Sequence, residues 1–367
     1  MKTANAAVMS DFHRPFEIRS YPLPRDIEPG AALVKVEMAG VCGTDVHLWK
    51  GQLPIPRPII MGHETVGRSV AFGEDLTKDW NGAALAVGDR VTWSAGRACG
   101  RCRNCSVLRQ PTMCLNRSAY GISFRSDEPP HFSGGYAEFI YLRPGTAIFK
   151  LSDVSPETVI GAGCALVTAI HGLERTGINW GDTVVIQGSG PVGLAALAVA
   201  KSSGAATTIV IGGPSDRLRL AEVFGADHTM DIDEVADPAE RLDLVMRYTG
   251  GFGADAVIEC VGAPAVVAEG LEMCRDGGKY LVLGHYCDAG SAPLNPHVIT
   301  RKQLSVIGSW ASEPRHMSAG IEFLRKQGEK FPFAQLVSHR FPLERAFEAL
   351  QTTAQWSSSK SVVMPEL

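Results

Sequence analysis

The chain has no long uninterrupted apolar run and no cluster of like charges, and both absences narrow its class. Its most apolar window, residues 183–200, is broken by Gln187, Ser189 and several glycines, so we expect no membrane span. The first residues, MKTANAAVMSDFHR, lack the apolar core of a secretory signal. Lysine and arginine occur in ones and twos and the net charge is −4, which argues against nucleic acid or an anionic membrane as a partner. We therefore expect a cytoplasmic protein whose partners are small molecules or copies of itself.

The composition is otherwise that of an ordinary globular protein. The 367 residues are 45 % apolar and 20 % charged, which is enough for a large core and predicts about two domains. The nine cysteines are an odd number, and disulfides are disfavoured in a reducing cytosol. The cysteines are therefore expected to bind metal or to take part in catalysis.

The secondary-structure pattern changes near residue 165. Before that point, short β-like runs alternate with Pro- and Gly-rich stretches, which predicts an irregular β-domain with long loops; the runs are 33–38, 64–71, 89–93 and 137–142. After it, strands alternate with helices, which predicts an α/β doubly wound parallel sheet; the strands are 183–187, 208–211, 256–259 and 280–283. The alternation stops near residue 309, and the tail is expected to return to the first domain. The predicted domains are residues 1–165 with 310–367, and residues 166–309.

A glycine-rich turn follows the first of these later strands and opens a helix. Its sequence, Gly188-Ser-Gly190-Pro191-Val192-Gly193, matches the pattern of a dinucleotide-binding turn in the structural context that gives the pattern meaning. The first glycine permits the tight turn, the second lets the backbone approach a pyrophosphate, and the third lets the helix pack close to the strand. The free N–H groups at the helix start favour an anion.

The second strand of this region ends without the acidic residue that normally binds the ribose hydroxyls. Gly212 occupies that place, and Ser215 and Arg217 follow it. These two residues could hold a 2′-phosphate, or they could be a helix N-cap and an exposed basic residue. Asp216 could turn inward to the ribose. NAD and NADP both remain open, with a lean to NAD because no cluster of basic residues is present.

Two sets of residues have the chemistry of zinc ligands. Residues 98–114 contain four cysteines, and four thiolates complete a tetrahedral zinc site, so this set predicts a structural zinc; its members are Cys99, Cys102, Cys105 and Cys114. The second set is dispersed: Cys42, His63 and Cys164 are each a weak signal alone. Taken together with the glycine turn, they become specific.

With these residues in this order and spacing, the chain resembles the zinc-dependent medium-chain alcohol dehydrogenase family from end to end. The motifs are Cys42 with Thr44, the triplet Gly62-His63-Glu64, the four-cysteine cluster, Cys164 and the 188–193 turn. The resemblance implies a GroES-like catalytic domain beside a Rossmann domain. One departure is present: eight residues separate Cys105 from Cys114, where the family usually has seven, which predicts a one-residue bulge.

The resemblance also implies the roles of the residues around the catalytic zinc. Cys42, His63 and Cys164 would hold the ion, with the fourth position open to an alcohol. Thr44 would take the alcohol proton and His47 would carry it to solvent. Asp45 would orient His63 through its second ring nitrogen, and Glu64 would lie behind the zinc and bind it transiently.

Further cofactor and substrate contacts are implied by alignment to the family. Near the dinucleotide these are Thr168 and Val192 behind the nicotinamide, Val261 at a strand end, and Lys360 reaching the pyrophosphate. Ala95 stands at a pocket position where some members have a large aromatic residue, which leaves space for a branched or cyclic alcohol. Further pocket candidates are Trp49, Tyr120 and Trp310.

The predicted function is therefore an NAD(P)-dependent oxidation of a hydrophobic or cyclic secondary alcohol, with about two zinc ions per chain. A polyol, sugar-alcohol or threonine-type dehydrogenase is the alternative within the enzymes. A zinc- and dinucleotide-binding regulator without turnover is the alternative outside them. By resemblance, the chain is expected to form a homodimer or homotetramer.

Overall fold

The structure is a computed structural model and describes residues 2–355 and 358–367. Its strands are β1 Thr3–Met9, β2 Glu17–Pro22, β3 Ala32–Val41, β4 Ile59–Ile60, β5 Glu64–Phe72, β6 Arg90–Trp93, β7 Gly96–Arg97, β8 Ser118–Ala119, β9 Phe139–Leu142, β10 Ile148–Lys150, β11 Thr183–Gln187, β12 Thr207–Gly212, β13 His228–Asp231, β14 Ala254–Glu259, β15 Cys274–Val282, β16 Ser305–Gly308, β17 Val337–Phe341 and β18 Lys360–Val363. Its α-helices are α1 Gly43–Trp49, α2 Arg103–Ser106, α3 Pro156–Thr176, α4 Pro191–Ser202, α5 Ser215–Val223, α6 Pro238–Tyr248, α7 Ala265–Met273, α8 Pro296–Arg301, α9 Pro314–Gln327 and α10 Ala346–Ala354. Short 3₁₀ turns cover Pro111–Met113, Phe333–Leu336 and Leu343–Arg345.

The chain divides into two units. The first comprises Met1–Gly163, Ser312–Gly328 and Phe333–Leu367, and the second comprises Cys164–Ala311 and Glu329–Pro332. The sequence-based limits at 165 and 310 lie within two residues of this division. The short segment Glu329–Pro332, which the sequence assigned to the first domain, instead belongs to the second unit.

The first unit is built on β-sheets, as expected for a GroES-like domain. Its largest sheet has the order β10-β6-β5-β3-β18-β17, with β9 also paired to β3, and a smaller sheet has the order β2-β1-β4. The last strand, β18, lies between β3 and β17, so the C-terminal segment completes this sheet. All four residues of β18 are buried, which ties the end of the chain into the core of the first unit.

The register of three neighbouring strands, β18, β3 and β5, brings one residue at an end of each strand to the same edge of this sheet. β3 runs antiparallel to both β18 and β5, with Val362 opposite Gly40 and Gly40 opposite Glu64. The residue after β3 and the first residues of β18 and β5 therefore lie side by side. These residues are Cys42, Lys360 and Glu64.

The second unit is a doubly wound parallel sheet. Its strand order is β13-β12-β11-β14-β15-β16, and every neighbouring pair is parallel. This is the strand order of a Rossmann fold, in which ligands bind outside the carboxyl ends of the strands where the order reverses. β11 is that central strand, since it pairs with both β12 and β14. The predicted fold class is therefore confirmed.

Helix α3 is long and apolar. By length and composition alone it could cross a membrane, but 61 % of its most apolar window is buried inside the protein, as in the core helix of a globular domain. Gly163 interrupts the helix with φ of 47°, a left-handed conformation that favours glycine. The interruption falls directly before Cys164.

Candidate active site and metal centres

The dispersed zinc-ligand candidates come together at the sheet edge described above. Cys42 follows β3, His63 precedes β5, and Cys164 follows the interruption in α3. One ligand atom from each of these residues, and one carboxylate oxygen of Glu64, all lie within 4.8 Å of one another. Two thiols and an imidazole at this separation match the donor set of a catalytic zinc with three protein ligands.

Asp45 lies beneath His63 and orients it. The Asp45 side chain is completely buried, and its Oδ1 atom lies 3.4 Å from His63 Nδ1. Its Oδ2 atom accepts hydrogen bonds from the Cys42 N–H at 2.9 Å and the Tyr136 hydroxyl at 3.1 Å. The Nδ1 side of the ring therefore faces Asp45, and Nε2 is left for a metal.

The electrostatics of this cluster favour a cation. Burial by itself lowers the pKa of His63, but the Asp45 carboxylate and Cys42 outweigh it and raise the pKa well above its usual range. Burial, reinforced by Asp45, raises the pKa of Tyr136, so its hydroxyl stays a neutral donor. Surroundings that stabilise positive charge on His63 are equally suited to a divalent ion at its Nε2 atom.

The proposed proton carriers lie on the short helix α1. Thr44 and His47 are three residues apart, so they lie on the same helix face, and both are half-buried. His47 Nδ1 contacts the Gln52 side-chain oxygen. Their relay role stays a prediction.

Lys360 forms a buried ion pair with Glu64. Its Nζ atom lies 2.5 Å from Glu64 Oε2, and the two side chains are only 3 % and 2 % exposed. The register of β18 carries Lys360 to the same edge as Glu64. The contact of Lys360 with a pyrophosphate stays a prediction.

The four-cysteine cluster has the dimensions of a closed zinc site. The sulfur of Cys102 lies 3.5 Å from that of Cys105 and 3.9 Å from that of Cys114. Four thiolates around zinc lie about 3.8 Å apart, given a Zn–S bond of about 2.3 Å, whereas a disulfide would need about 2 Å. Cys99 belongs to the same group, with all four ligand atoms within 4.8 Å. The 3₁₀ turn Pro111–Met113 directly precedes Cys114 and occupies the longer spacing.

Backbone N–H groups point at the sulfurs of this cluster. The N–H of Cys99 lies 3.2 Å from the Cys114 sulfur, and the N–H of Cys102 lies 3.4 Å from the Cys99 sulfur. Backbone hydrogen bonds from Arg101 and Cys102 lower the pKa of Cys99 to about 6. Burial and the Cys102 side chain raise the pKa of Cys105 to about 12. The loop thus favours the thiolate at Cys99 and the thiol at Cys105 in the absence of a metal ion.

The glycine turn of the second unit has the expected geometry. Gly188 follows β11 with φ of 113°, and Pro191 is the first residue of α4, directly after Gly190. A Cβ atom on Gly193 would overlap the Gly188 carbonyl oxygen, so the close approach of helix and turn requires glycine there. Val261, 47 % exposed, lies beside this turn. Val192 and Thr168 are half-buried, and their nicotinamide contacts stay predictions.

The residues that follow β12 are those considered above as contacts for the ribose or for a 2′-phosphate. Ser215 is the first residue of α5, with Pro214 as the N-cap, and Asp216 pairs with Arg219 at the surface instead of turning inward. Arg217 is buried, which lowers its pKa, and its guanidinium lies near Gly190. The alternative of an exposed basic residue is therefore wrong.

Sequence reasoning missed an acid at this edge. Asp231, the last residue of β13, lies opposite Gly212, and its Oδ1 atom is 3.6 Å from where a Cβ of Gly213 would be. From the sequence, the ribose-binding acid was expected only at the end of the second strand of this sheet, which is β12. The end of the next strand would have supplied this one, because parallel strands end at the same edge.

A second missed residue is Glu259 at the end of β14. It is completely buried and accepts hydrogen bonds from the N–H groups of Val261 at 2.6 Å, Gly262 at 2.5 Å and Gly284 at 3.0 Å. It therefore joins the loops that follow β14 and β15 at the carboxyl edge of the sheet. A lone acid at the end of an apolar strand was the available sequence signal.

The predicted pocket residues have different environments. Tyr120 is completely buried, and its hydroxyl contacts Thr146 at 2.7 Å and accepts from the Arg143 N–H at 2.7 Å, so it is a core residue and not a pocket wall. Trp49 is half-buried and donates to the Arg14 carbonyl at 2.9 Å. Trp310, 42 % exposed, stacks on Tyr286. Ala95 is half-buried between β6 and β7.

A Rossmann sheet, a closed four-thiolate cluster and an open two-thiolate and imidazole cluster together define a zinc-dependent dehydrogenase. Comparisons with family models agree. Residues 28–153 match the model described as alcohol dehydrogenase GroES-like domain, and residues 191–326 match that described as zinc-binding dehydrogenase.

Characterised relatives match along almost the whole chain. A 5-exo-hydroxycamphor dehydrogenase of Pseudomonas putida is 35 % identical, with 99 % of each chain covered. A sorbitol dehydrogenase of Halalkalibacterium halodurans is 31 % identical, with 92 % of this chain and 93 % of the relative covered. The chain belongs to the zinc-dependent medium-chain alcohol dehydrogenase family.

Solved structures have the same fold. An alcohol dehydrogenase from Thermotoga maritima superimposes with a TM-score of 0.94 at 35 % identity, covering 99 % of this chain and 100 % of that chain. A zinc-binding dehydrogenase from Sinorhizobium meliloti, solved with NADP bound, has a TM-score of 0.84 at 27 % identity, with 100 % of both chains covered. The chain is thus an oxidoreductase acting on CH–OH donors that uses zinc and a nicotinamide cofactor.

Proposed function

We propose that this enzyme oxidises a hydrophobic or cyclic secondary alcohol to its ketone with NAD(P)⁺, with a lean to NAD. The observation that carries the proposal is the half-buried cluster of Cys42, His63 and Cys164, whose ligand atoms lie within 4.8 Å of one another. Three protein ligands of this kind would leave one coordination position of a zinc ion for the substrate oxygen. A zinc ion bound there would polarise the alcohol oxygen and make its proton more acidic. The nicotinamide ring would accept the hydride.

The residues of helix α1 and its surroundings would prepare and complete this step. Asp45 holds the His63 ring by its Nδ1 side, and the Cys42 N–H and Tyr136 hydroxyl hold Asp45 in turn. Thr44 would accept the proton from the alcohol, and His47, near the surface, would pass it to solvent. Their spacing on one face of α1 supports this order.

The dinucleotide would lie at the carboxyl edge of the second unit's sheet. Its pyrophosphate would bind at the turn of Gly188 to Gly193 and the start of α4. The lean to NAD is supported by Asp231, whose negative charge beside Gly213 would repel a 2′-phosphate. Arg217 supports NADP instead, because its guanidinium lies about 4.0 Å from where a Cβ of Gly190 in the glycine turn would be and could pair with a 2′-phosphate.

Two observations support a bulky, apolar substrate. By the family resemblance, Ala95 stands at a pocket position where an aromatic residue would take up space, and the relative named for a hydroxycamphor acts on a cyclic alcohol. The relative named for sorbitol keeps a polyol as the second candidate.

Initial rates with NAD⁺ and NADP⁺ over cyclic alcohols, sugar alcohols and amino alcohols test the proposal. Higher kcat/KM for cyclic secondary alcohols is expected, and turnover of sorbitol-like or threonine-like compounds alone would contradict the substrate class. No reduction of either cofactor by any alcohol would favour the binding-only regulator. We further expect a cytoplasmic homodimer or homotetramer holding about two zinc ions per chain.

A further inference from the structure

We propose that the loop holding the four cysteines docks into a groove beside helix α6 of a second copy of this chain. The loop, residues 98–117, is called the cysteine loop below, and the groove lies between α6, α7 and the segment 293–298. The inference rests on the homo-oligomer proposed above, to which it gives a contact surface, and not on the proposed reaction.

The cysteine loop has an unbalanced positive charge. It contains four arginines and no Asp or Glu, although the whole chain has a net charge of −4. Three of these arginines, Arg101, Arg103 and Arg109, are exposed and form no ion pair with any residue that the structure describes. They stand singly in the sequence, and the loop brings them together because its four cysteine sulfurs lie within 4.8 Å of one another.

Large apolar side chains are exposed among these arginines. Leu115 is 71 % exposed and Val107 is 68 % exposed, and Leu108 and Met113 are exposed as well. Apolar groups concentrated on one short exposed loop mark an interaction surface, and arginine and methionine are enriched in protein interfaces. The loop is therefore suited to a partner surface that is both apolar and acidic.

The second unit has a groove that can receive such side chains. Its volume is about 560 Å³, in the range that accommodates a drug-sized molecule or a few side chains. Arg241 in its wall pairs with Glu269 and also donates to two backbone carbonyls, so its guanidinium is not available to an anion. Most of the lining is apolar and includes Pro238, Leu242, Ala265, Val266, Pro293 and Leu294.

Acidic side chains border this groove. Glu240 and Asp243 are exposed and three residues apart on α6, so they lie on one face of the helix. Leu242, next to Asp243, lines the groove, which places these carboxylates at its rim. Glu234 is exposed just before the helix. None of the three acids forms an ion pair within the part of the chain that the structure describes.

The two surfaces complement each other in charge and in polarity. An apolar loop with exposed arginines matches an apolar groove with an acidic rim. Opposite charges guide association and fix its register, and burial of apolar side chains supplies affinity. Each copy of the chain has one cysteine loop and one such groove, so a second copy always presents the matching surface. A second copy is therefore the occupant that the charges favour.

The test measures self-association of the full-length, zinc-loaded protein by sedimentation velocity. In Arg103→Glu/Arg109→Glu we expect the association constant to fall at least about tenfold, because like charges then face each other. Glu240→Lys/Asp243→Lys, which leaves the cysteine loop intact, should weaken association to a similar extent. An equal mixture of these two double variants should associate again, because the loop of each is then opposite in charge to the groove rim of the other.

Arg25→Glu/Lys78→Glu is the matched control, because it reverses two exposed cations of the first unit outside the cysteine loop. It should associate like the wild type. Unchanged association in both test variants would overturn the proposal, as would a mixture that fails to associate. If the loop variant does not bind zinc fully, the groove variant decides alone.

The same measurement separates this inference from the proposals on which it rests. A wild type that stays monomeric would contradict both the homo-oligomer and the docking surface. An oligomer that is indifferent to the charge reversals would contradict the docking surface alone. Sedimentation does not require turnover of an alcohol, so an inactive wild type would contradict the proposed reaction and leave this result in place.

Discussion

The two metal clusters of this enzyme are assembled in opposite ways. The cysteines at 99, 102, 105 and 114 lie within 16 residues of one another, on a partly exposed loop of the first unit. Cys42, His63 and Cys164 are spread over more than a hundred residues and meet only because strand register and an interrupted helix bring them together. A local cluster needs only its own loop, whereas a dispersed one depends on the placement of distant segments of the chain.

The surroundings of the clusters differ in the same way. Backbone N–H groups of the loop itself donate to the sulfurs of Cys114 and Cys99. At the dispersed cluster, charged side chains from separate elements pair with the residues around the metal position: Asp45 contacts His63, and Lys360 contacts Glu64. We infer that the first cluster maintains structure and that the second is tuned for an open coordination position. Substitutions in each should therefore affect different properties.

The largest effect on activity is expected for Cys42→Ser. Loss of a thiolate ligand should empty or distort the catalytic site and remove several kcal/mol of charge stabilisation, which corresponds to a fall in kcat/KM on the order of 10³-fold. Metal analysis should show about one zinc ion per chain in place of about two. A variant that keeps near-wild-type kcat/KM would contradict the assignment of the open site.

A smaller loss is expected for Asp45→Asn. The amide can still accept a hydrogen bond from the Cys42 N–H, but it has no charge to hold His63, so kcat/KM or zinc affinity should fall about 10–100-fold. Asp79→Asn is the control, since Asp79 is another buried acid of the first unit and its carboxylate accepts hydrogen bonds from the backbone N–H groups of Asn81, Ala83 and Lys150. Equal losses in the two variants would mean that the Asp45 effect is one of folding.

Cys102→Ser should separate structure from chemistry. Loss of the structural zinc should leave kcat within about threefold of the wild type while lowering the thermal midpoint by several degrees. Differential scanning calorimetry and initial rates on the same preparation check both. A loss of kcat as large as that of Cys42→Ser, in folded protein, would show that the distinction between the clusters is wrong.

The sequence was most informative where the determining residues are close together. The closed cluster and the glycine turn could be predicted because spacing and strand context fix them, and β11 has the predicted limits of 183–187. Tyr120 was misplaced because its environment depends on packing between distant segments, and the ion pair of Lys360 with Glu64 was not foreseen because it depends on strand register. Tyr136 was not considered at all, since nothing in its local sequence indicates that its hydroxyl would reach Asp45.

The smallest expected effect is the release of protons when zinc binds to the four-cysteine cluster. It is measured in the Cys42→Ser variant, because the four-cysteine cluster is then the main zinc site of the chain. Zinc binds thiolates, so zinc that is added back to the metal-free four-cysteine cluster must displace any proton that its thiols carry. With a pKa of about 6, Cys99 is already a thiolate at pH 7, whereas Cys105, with a pKa of about 12, is a thiol. Zinc addition at pH 7 in weak buffer with an indicator dye should therefore release the Cys105 proton and little from Cys99. Below pH 6 Cys99 becomes protonated as well, so proton release should increase and zinc affinity should fall more steeply with decreasing pH; a release that does not change between pH 5 and pH 8 would contradict the backbone stabilisation of Cys99.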